Sequence, residues 1–252
     1  MLSAVSGNNS GSLMTTGGAT LVADNVTIST TGNSSAAIRT DRGGGTVTAT
    51  ETTASTSGVG SPAIYSTADI TVSDSTLSAT NSEAVVIEGG NSVTITDSDL
   101  TGNNATLNGQ STTATNVLIY QSMSGDAQEG SSELNMTGGS LTALTGSMFH
   151  VTNVTTTINL NNVELIYSDD SNVLIDLSAD SWGTEGKNGG NATVNLSNQS
   201  ASGDIVVDDV SSIVLNLTNG SDYTGAIDSA NSSTKSNWNE CANLLLERAA
   251  SE

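Results

Sequence analysis

Paired acidic residues are the side chains of this chain best suited to acid–base chemistry. Hydrolysis of a glycosidic bond uses two carboxyl groups that flank the bond, one protonated and one ionised. Three pairs of neighbouring acids are candidates for this role: Asp97 with Asp99, Asp169 with Asp170, and Asp208 with Asp209. Asp97 and Asp99 alternate along a predicted strand and therefore share one of its faces, with Asp74 as their counterpart one repeat earlier. A polysaccharide-active lyase or hydrolase is thus one alternative for the function.

Two features argue against catalysis. His150 is the only histidine, so a Ser–His–Asp triad would have to use it. It follows Phe149 in a predicted strand, and we interpret it as an outward-facing strand residue. Arg39 and Arg42 are two of the few bases available to a lyase, and they lie in a Gly-rich segment that we interpret as a solvated turn. Because carboxylates in such a chain usually solvate the surface, we predict that the protein is not an enzyme and has no catalytic residues.

Acidic turns are the candidate metal sites, because calcium prefers carboxylate and carbonyl oxygen ligands. Asp204, Asp208 and Asp209 lie in predicted turns and are the speculative ligands of a weak calcium site. The Asp169–Asp170 turn is a second candidate. Asp side chains also stabilise turns without a metal, so we predict no cofactor and leave weak calcium binding open. With one Cys and one His, a Cys/His zinc site within the chain is excluded.

Aromatic side chains are scarce, at 3% of the sequence, and those that are exposed are candidates for contact with a ligand. Trp182 lies in a polar, Gly-rich insertion, and Tyr120 and Tyr167 follow apolar predicted strands. Tyr65 and Tyr223 are further rings that could stack on a sugar. We take Trp182, Tyr120 and Tyr167 as the speculative contact residues for a glycan or a protein. The alternative for Trp182 is that its indole packs the insertion onto the rest of the fold.

The charge balance excludes several classes of partner. The net charge is −21, from 26 acidic and 5 basic residues. Nucleic-acid binding draws its affinity from cations that neutralise phosphates, so we predict no nucleic-acid partner. No apolar run reaches the roughly 18 residues of a membrane span, so we predict no membrane insertion. Met1 and Leu2 lead directly into polar sequence without a signal peptide, and we expect an excised segment of a longer protein.

An internal repeat predicts the elements that must position these side chains. Leu77 and Leu100 are 23 residues apart, as are Ile64 and Ile87, while Ile38 and Ile64 are 26 apart. Each repeat begins with a short apolar run, continues through a polar turn, and then alternates between apolar and polar residues. Such alternation is typical of a strand with one buried face.

The second half of the chain continues the repeat with apolar-Asn-apolar triplets. The four triplets are Leu134-Asn135-Met136, Ile158-Asn159-Leu160, Val194-Asn195-Leu196 and Leu215-Asn216-Leu217. The hydrophobic content of 35% is too low for a thick globular core. Stacked units of two or three short strands need only a thin apolar column, so the sequence predicts one all-β solenoid of about eight to ten coils.

The two ends of the chain differ in the sequence. We predict that residues 1–228 form the solenoid and that residues 229–252 form an irregular C-terminal tail. Leu244, Leu245 and Leu246 lie among Ala, Glu and Arg residues, and this pattern favours a short helix. The helix either caps the last coil or belongs to a non-native extension. Open strand edges recruit other chains, so end-to-end self-association into a filament is a further alternative.

Three segments resemble a known family. They are SPAIYSTADITVSDSTLSATNSEAVVIEGG (residues 61–90), NVLIYQSMSG (116–125) and WGTEGKNGGNATV (182–194). They are similar to the right-handed parallel β-helix repeat regions of bacterial cell-surface and autotransporter-like adhesins, and the similarity extends over residues 15–227. The resemblance implies a right-handed parallel β-helix displayed outside the bacterial cell on a stalk. We therefore expect a non-enzymatic, extracellular adhesin-type or stalk-type fragment that weakly binds a host or cell-surface glycan or protein.

Overall fold

Twenty-seven β-strands and no helix make up the secondary structure of the described residues. The computed structural model describes residues 1–109, 112–168, 172–229 and 244–248. Sheet A contains β1 (Leu2–Val5), β4 (Thr27–Thr30), β7 (Thr53–Thr56), β10 (Thr76–Ala79), β13 (Asp99–Gly102), β16 (Ser140–Ala143) and β19 (Glu164–Tyr167). Sheet B contains β2 (Gly11–Thr15), β5 (Ala36–Thr40), β8 (Ile64–Ser66), β11 (Val85–Glu88), β14 (Thr115–Tyr120), β17 (Ser147–Thr152), β20 (Val173–Leu177), β23 (Asp204–Val207) and β26 (Ile227–Ser229).

The remaining strands form one large and one small sheet. Sheet C contains β3 (Ala19–Asp24), β6 (Gly45–Thr50), β9 (Ile70–Ser73), β12 (Ser92–Thr96), β15 (Ser131–Thr137), β18 (Val154–Asn161), β21 (Gly190–Ser197), β24 (Ser212–Thr218) and β27 (Leu244–Arg248). Sheet D consists of β22 (Ser200–Ser202) and β25 (Asp222–Thr224).

The strand order is that of stacked repeats. Every strand pairing is parallel. The chain visits sheets A, B and C in this order nine times, with sheet D in place of sheet A in the last two passes. Each pass adds one strand to each sheet, so residues of successive passes lie side by side. This architecture is all-β and consistent with a β-solenoid, and nine passes lie within the predicted eight to ten.

The register confirms most of the equivalences in the sequence. Leu77 lies beside Leu100, and the Asn residues of the four triplets lie side by side in sheet C. The equivalence of Ile64 with Ile87 is wrong, because Ile64 lies beside Val85. The cause is the length of the turn between sheets B and C. Ile64 lies six positions before Ile70, whereas Val85 lies eight positions before Val93, the sheet C neighbour of Ile70. The periodicity measures whole passes and does not show how each pass divides its residues between strand and turn.

One continuous apolar column forms the core. It runs from Ala23 to Leu215 and draws side chains from sheets A, B and C. Burial of one such aliphatic side chain contributes about 1.5–3 kcal/mol. A representative row of neighbouring inward residues follows sheet C through seven passes: Val47, Ile70, Val93, Leu134, Ile158, Val194 and Leu215.

The turns from sheet C to the next strand use a left-handed residue. Asp74 and Asp97 have φ of 50° and 46° in two of these turns. Asn162 and Asn198 do the same later in the chain, with φ of 54° and 49°. Asp and Asn tolerate this conformation better than most residues, because their short side chains hydrogen-bond to the nearby backbone. The prediction that Asp97 lies on a strand with Asp99 is therefore wrong.

The C-terminal described residues form a strand where the sequence predicted a short helix. Residues 244–248 are β27, which pairs with β24 at the end of sheet C. An unpaired sheet edge offers backbone donors and acceptors in a row, and pairing with it outweighs the local helix preference. No helix in the described part of the chain is long and apolar enough to cross a membrane.

Candidate binding groove on sheet B

Outward-facing residues of sheet B form the floor of a groove of about 280 Å³. Inward Ile38, Ile64, Ile87 and Ile119 belong to the core, so their strand neighbours point outward. Six of the side chains that line this aromatic groove carry its chemistry: Arg39, Tyr65, Glu83, Glu88, Tyr120 and Trp182. All except Trp182 come from the four central strands β5, β8, β11 and β14 or their approaches.

Two aromatic contacts shape the groove. The rings of Tyr120 and Trp182 have centroids 4.4 Å apart and are tilted by 48°. The guanidinium of Arg39 lies 5.1 Å from the centroid of the Tyr65 ring, within the range of a cation–π contact. Tyr120 also packs with Val86 in a small apolar cluster, against which Tyr65 and Trp182 lie. The groove therefore offers aromatic surface close to a cationic group.

Glu88 connects the tyrosines of the groove. Its side chain is 2% exposed, and its Oε2 accepts hydrogen bonds from the hydroxyls of Tyr65 and, at 3.0 Å, Tyr120. Its Oε1 accepts from the hydroxyls of Ser122 and, at 3.3 Å, Ser124. Burial and the neighbouring Glu88 charge raise the pKa of Tyr65 and Tyr120 well above the usual value. Both tyrosines are therefore neutral donors at physiological pH.

Glu83 is the second buried acid of the groove. Its Oε2 accepts a hydrogen bond from the Ser82 hydroxyl at 2.6 Å, and its Oε1 accepts one from Asn104 Nδ2 at 2.9 Å. Burial raises the pKa of Glu83, although these hydrogen bonds act in the opposite direction. In this groove, burial disfavours the charged form of the Glu83 carboxyl group, whereas hydroxyl donors surround the carboxyl group of Glu88.

Hydrogen bonds of Asp180 hold in place the segment that carries Trp182. The Asp180 carboxylate accepts hydrogen bonds from the Thr112 amide and hydroxyl and from the Ser181 amide. Burial acts to raise the pKa of Asp180, but these bonds and the nearby His150 outweigh it and hold that pKa well below its usual range. Asn188 Nδ2 donates to the Asp180 and Trp182 carbonyls at 2.8 Å. Trp182 therefore sits on a segment that is tied to two other parts of the chain.

His150 lies beneath this segment. It alternates with inward Phe149 and Val151 on β17 and faces outward, as predicted, but it is 0% exposed. Its Nδ1 lies 3.1 Å from the Asp176 carbonyl oxygen, and its Nε2 lies 3.6 Å from Asp180 Oδ2, which is longer than a hydrogen bond. No serine or cysteine hydroxyl or thiol is hydrogen-bonded to His150 among the described residues. The arrangement supports a packed histidine.

The structure brings together two of the three predicted contact residues. Trp182 and Tyr120 touch in the groove, whereas Tyr167 lies elsewhere, with its hydroxyl donating to the Ser202 carbonyl at 2.9 Å. Tyr167 packs against the main core, and burial raises its pKa. Tyr65, which the sequence offered as a further ring for stacking on a sugar, also lines this groove. The sequence analysis missed Glu88, although its signal was present: it is a polar residue next to core Ile87 on a sheet B strand.

Arg39 differs from its interpretation as part of a solvated turn. It is the outward-facing residue of β5, half-buried against Tyr65 and paired with Asp41 at 2.7 Å. Arg42, three residues later, does lie in an exposed turn and pairs with Asp126. Strand β5 ends at Thr40, two positions before Arg42. The Gly-rich sequence after Arg42 led to the interpretation of Arg39 as part of a turn.

Of the predicted acid pairs in the described residues, Asp208 with Asp209 lines a shallow groove of about 500 Å³, whereas Asp97 with Asp99 does not. Asp74, Asp97 and Asp99 are exposed, and none of them lines a groove. Asp99 lies on sheet A and accepts a hydrogen bond from the Ser140 hydroxyl at 2.7 Å. The pair of Asp169 and Asp170 lies outside the described residues.

Two of the three speculative calcium ligands accept hydrogen bonds from backbone amides. Asp204 and Asp208 flank the two ends of β23, so their carboxylates do not converge. Asp204 accepts a hydrogen bond from the Ala226 amide at 2.9 Å, and Asp208 accepts from two backbone amides at 2.8 and 3.1 Å. Asp209 is exposed. Within the described ranges, no group of three or more His, Cys, Asp or Glu side chains could hold a metal ion.

Comparisons with protein-family models, with curated proteins and with solved structures found no match. The chemistry of the aromatic groove therefore carries the functional interpretation. The groove combines aromatic surface, one guanidinium and several hydroxyl and carboxyl groups in a concave site. Concave sites in which polar groups converge beside aromatic surface are typical of sites for small organic ligands.

Proposed function

We propose that this chain is a non-enzymatic, saccharide-binding part of a bacterial surface protein, and that the aromatic groove holds the sugar. The observation that carries this proposal is the contact of Tyr120 with Trp182 beside the Tyr65–Arg39 pair. Aromatic rings provide flat apolar surfaces, against which the C–H faces of a sugar ring can pack. The Arg39 guanidinium and the surrounding hydroxyl groups provide hydrogen bonds for the sugar hydroxyls.

The hydrogen bonding of the two buried acids favours binding over cleavage. An ionised carboxylate has about four lone-pair positions, and Glu88 receives four hydroxyl donors. Glycoside hydrolysis requires one carboxyl group that donates a proton and another that acts as a base or nucleophile. Glu88 has no free position for the second role, and Glu83 is engaged with Ser82 and Asn104.

We further infer that the three sheets close into a right-handed solenoid that forms part of an extracellular stalk. The constant order of the sheets and their shared core support closure. Crossovers between parallel strands of one sheet are right-handed in about 98% of cases, which supports the handedness. The extracellular, bacterial location rests on the resemblance of residues 61–90, 116–125 and 182–194 to surface adhesins.

A glycan array tests the proposed binding. Wild-type protein should bind a subset of glycans, and Trp182→Ala should bind them at least about tenfold more weakly, since loss of a central aromatic contact typically costs 2 kcal/mol or more. The matched control is Val22→Ala, which removes a 74% exposed side chain from the outer face of sheet C. Circular dichroism of both variants checks that the strands are retained. Absence of binding by wild-type protein, or equal binding by Trp182→Ala, would overturn the proposal.

A further inference from the structure

A second groove continues from the aromatic groove into the turns between sheets B and C. It has a volume of about 460 Å³, and five glycines line it together with residues that include Thr67 and Asn91. Gly44 and Gly125 have φ of 70° and 82°, so side chains would be strained at these positions. We call it the glycine groove. Because the glycines add no side chains, they leave space along the turns of several passes.

Asp126 joins the two grooves. It lines both of them and pairs with Arg42, which lies in the turn that follows β5. In the third pass, Pro62 lines the aromatic groove and Asp69 lines the glycine groove. Only Ile64–Ser66 of this stretch is strand, which spans about 10 Å, and the chain bends at residues 67 and 68. The joined surface therefore extends past β8 and around the corner from sheet B toward sheet C, which is longer than one sugar ring.

Each groove contains a buried polar atom without a hydrogen-bond partner among the described residues. Thr67 is 5% exposed and lines the glycine groove, and its Oγ1 has no partner. Arg39 lines the aromatic groove, and its Nε has no partner. Burial of an unpaired polar group is unfavourable. A ligand that lies across both grooves can supply hydroxyl groups to both atoms.

The charges of the joined grooves restrict the ligand. Glu88, Asp69 and Asp126 line them beside the guanidinium of Arg39, and the whole chain carries a net charge of −21. Such a field repels uronic acids, sialic acids and sulfated sugars. The surface is suited to uncharged sugars.

We propose that the two grooves together bind a linear, uncharged oligosaccharide, with one part against Tyr120 and Trp182 and another beside Thr67. This inference rests on the proposed saccharide binding and specifies the ligand as the interior of a chain. The aromatic groove alone would suffice for a single terminal sugar. The continuous surface and the unpaired Thr67 Oγ1 point to several linked rings.

Isothermal titration calorimetry with matched sugars tests the inference. The probes are glucose with cellotetraose, mannose with mannotetraose, and N-acetylglucosamine with chitotetraose. For at least one pair, the tetrasaccharide should bind wild-type protein at least about tenfold more tightly than the monosaccharide. Thr67→Val should weaken tetrasaccharide binding about threefold to tenfold, as expected for one lost hydrogen bond, and should leave monosaccharide binding unchanged. Thr71→Val, on the outer face of sheet C, is the matched control.

The outcomes separate the two proposals. Equal affinity for both members of every pair that binds, or wild-type affinity of Thr67→Val for the tetrasaccharide, overturns the oligosaccharide inference and leaves saccharide binding intact. Tighter binding of tetragalacturonate than of the neutral tetrasaccharides also overturns it. Absence of binding by all of these sugars overturns both proposals. Thr67→Val should fold normally, since the hydrogen bond that the Thr67 backbone amide donates to Thr40 Oγ1 does not involve the Thr67 side chain.

Discussion

Glu88 is a buried acid that no described cation neutralises by a salt bridge. A buried charge is costly unless hydrogen bonds replace the lost water. Here four hydroxyl groups do so, two from tyrosines on neighbouring strands and two from the segment after β14. The same bonds fix the orientation of Tyr65 and Tyr120. One carboxylate therefore determines the shape of the aromatic groove.

Substitution of this acid measures its role. Glu88→Gln should lower the free energy of unfolding by about 2–3 kcal/mol, because hydrogen bonds to a charged acceptor are worth about 1.5–3 kcal/mol each and the amide NH₂ faces hydroxyl donors. Urea denaturation of the purified variant gives this value. Glu164→Gln, at an exposed strand position, should change it by less than about 0.5 kcal/mol. Equal losses in the two variants would show that Glu88 has no special structural role.

The outer face of sheet C carries a ladder of asparagines. The Asn159 amide donates to Asn135 Oδ1 at 2.7 Å, the Asn195 amide donates to Asn159 at 2.7 Å, and the Asn216 amide donates to Asn195 at 2.8 Å. The ladder joins β15, β18, β21 and β24, one strand from each of four passes. A register slip of one residue would replace these contacts with buried aliphatic side chains. The ladder therefore favours one alignment of successive passes.

Removal of the middle rung tests the ladder. Asn159→Ala should lower the free energy of unfolding by about 1–2 kcal/mol, because it removes two bonds that Asn159 donates, to Asn135 and to exposed Glu133, and one that it accepts. Hydrogen exchange should rise most in β18 and β21. Thr71→Ala, on the same outer row of sheet C, is the matched control and should have a smaller effect. Uniform exchange across all strands would contradict a local role for the ladder.

The sequence predicted the strands more accurately than the contacts between residues that are far apart in the chain. Alternation in the apolar-Asn-apolar triplets identified the strands and their neighbours, because one buried face imposes a period of two. The grooves were less accessible to sequence reasoning. Trp182 reaches Tyr120 from a segment 62 positions later in the chain, and only the stacking of passes brings the two together. The lengths of the turns, which misplaced Ile87, depend on backbone conformation that apolar periodicity does not record.

At the scale of the whole molecule, buried neutral tyrosines set a limit on alkaline stability. Tyr65 and Tyr120 lie on sheet B, while Tyr167 and Tyr223 lie near sheet D, and burial raises the pKa of all four. For Tyr223, burial and the neighbouring Asp204 raise the pKa to about 12. The third, fifth, seventh and ninth passes of the strand stack therefore each contain one tyrosine that stays protonated.

The sign of the pH dependence follows from these raised pKa values. Below the ordinary tyrosine pKa of 10.0, the folded and unfolded chains hold the same tyrosine protons, so this contribution to stability is complete. Between pH 10 and about 12 the unfolded chain releases protons that folded Tyr223 retains, so the free energy of unfolding falls as the pH rises. We expect loss of the strand signal in circular dichroism together with tyrosinate absorbance in this window. Tyr223→Phe should make the pH dependence shallower. Tyrosinate formation near pH 10 with full retention of the strand signal would show that these hydroxyls are open to water and would contradict the prediction.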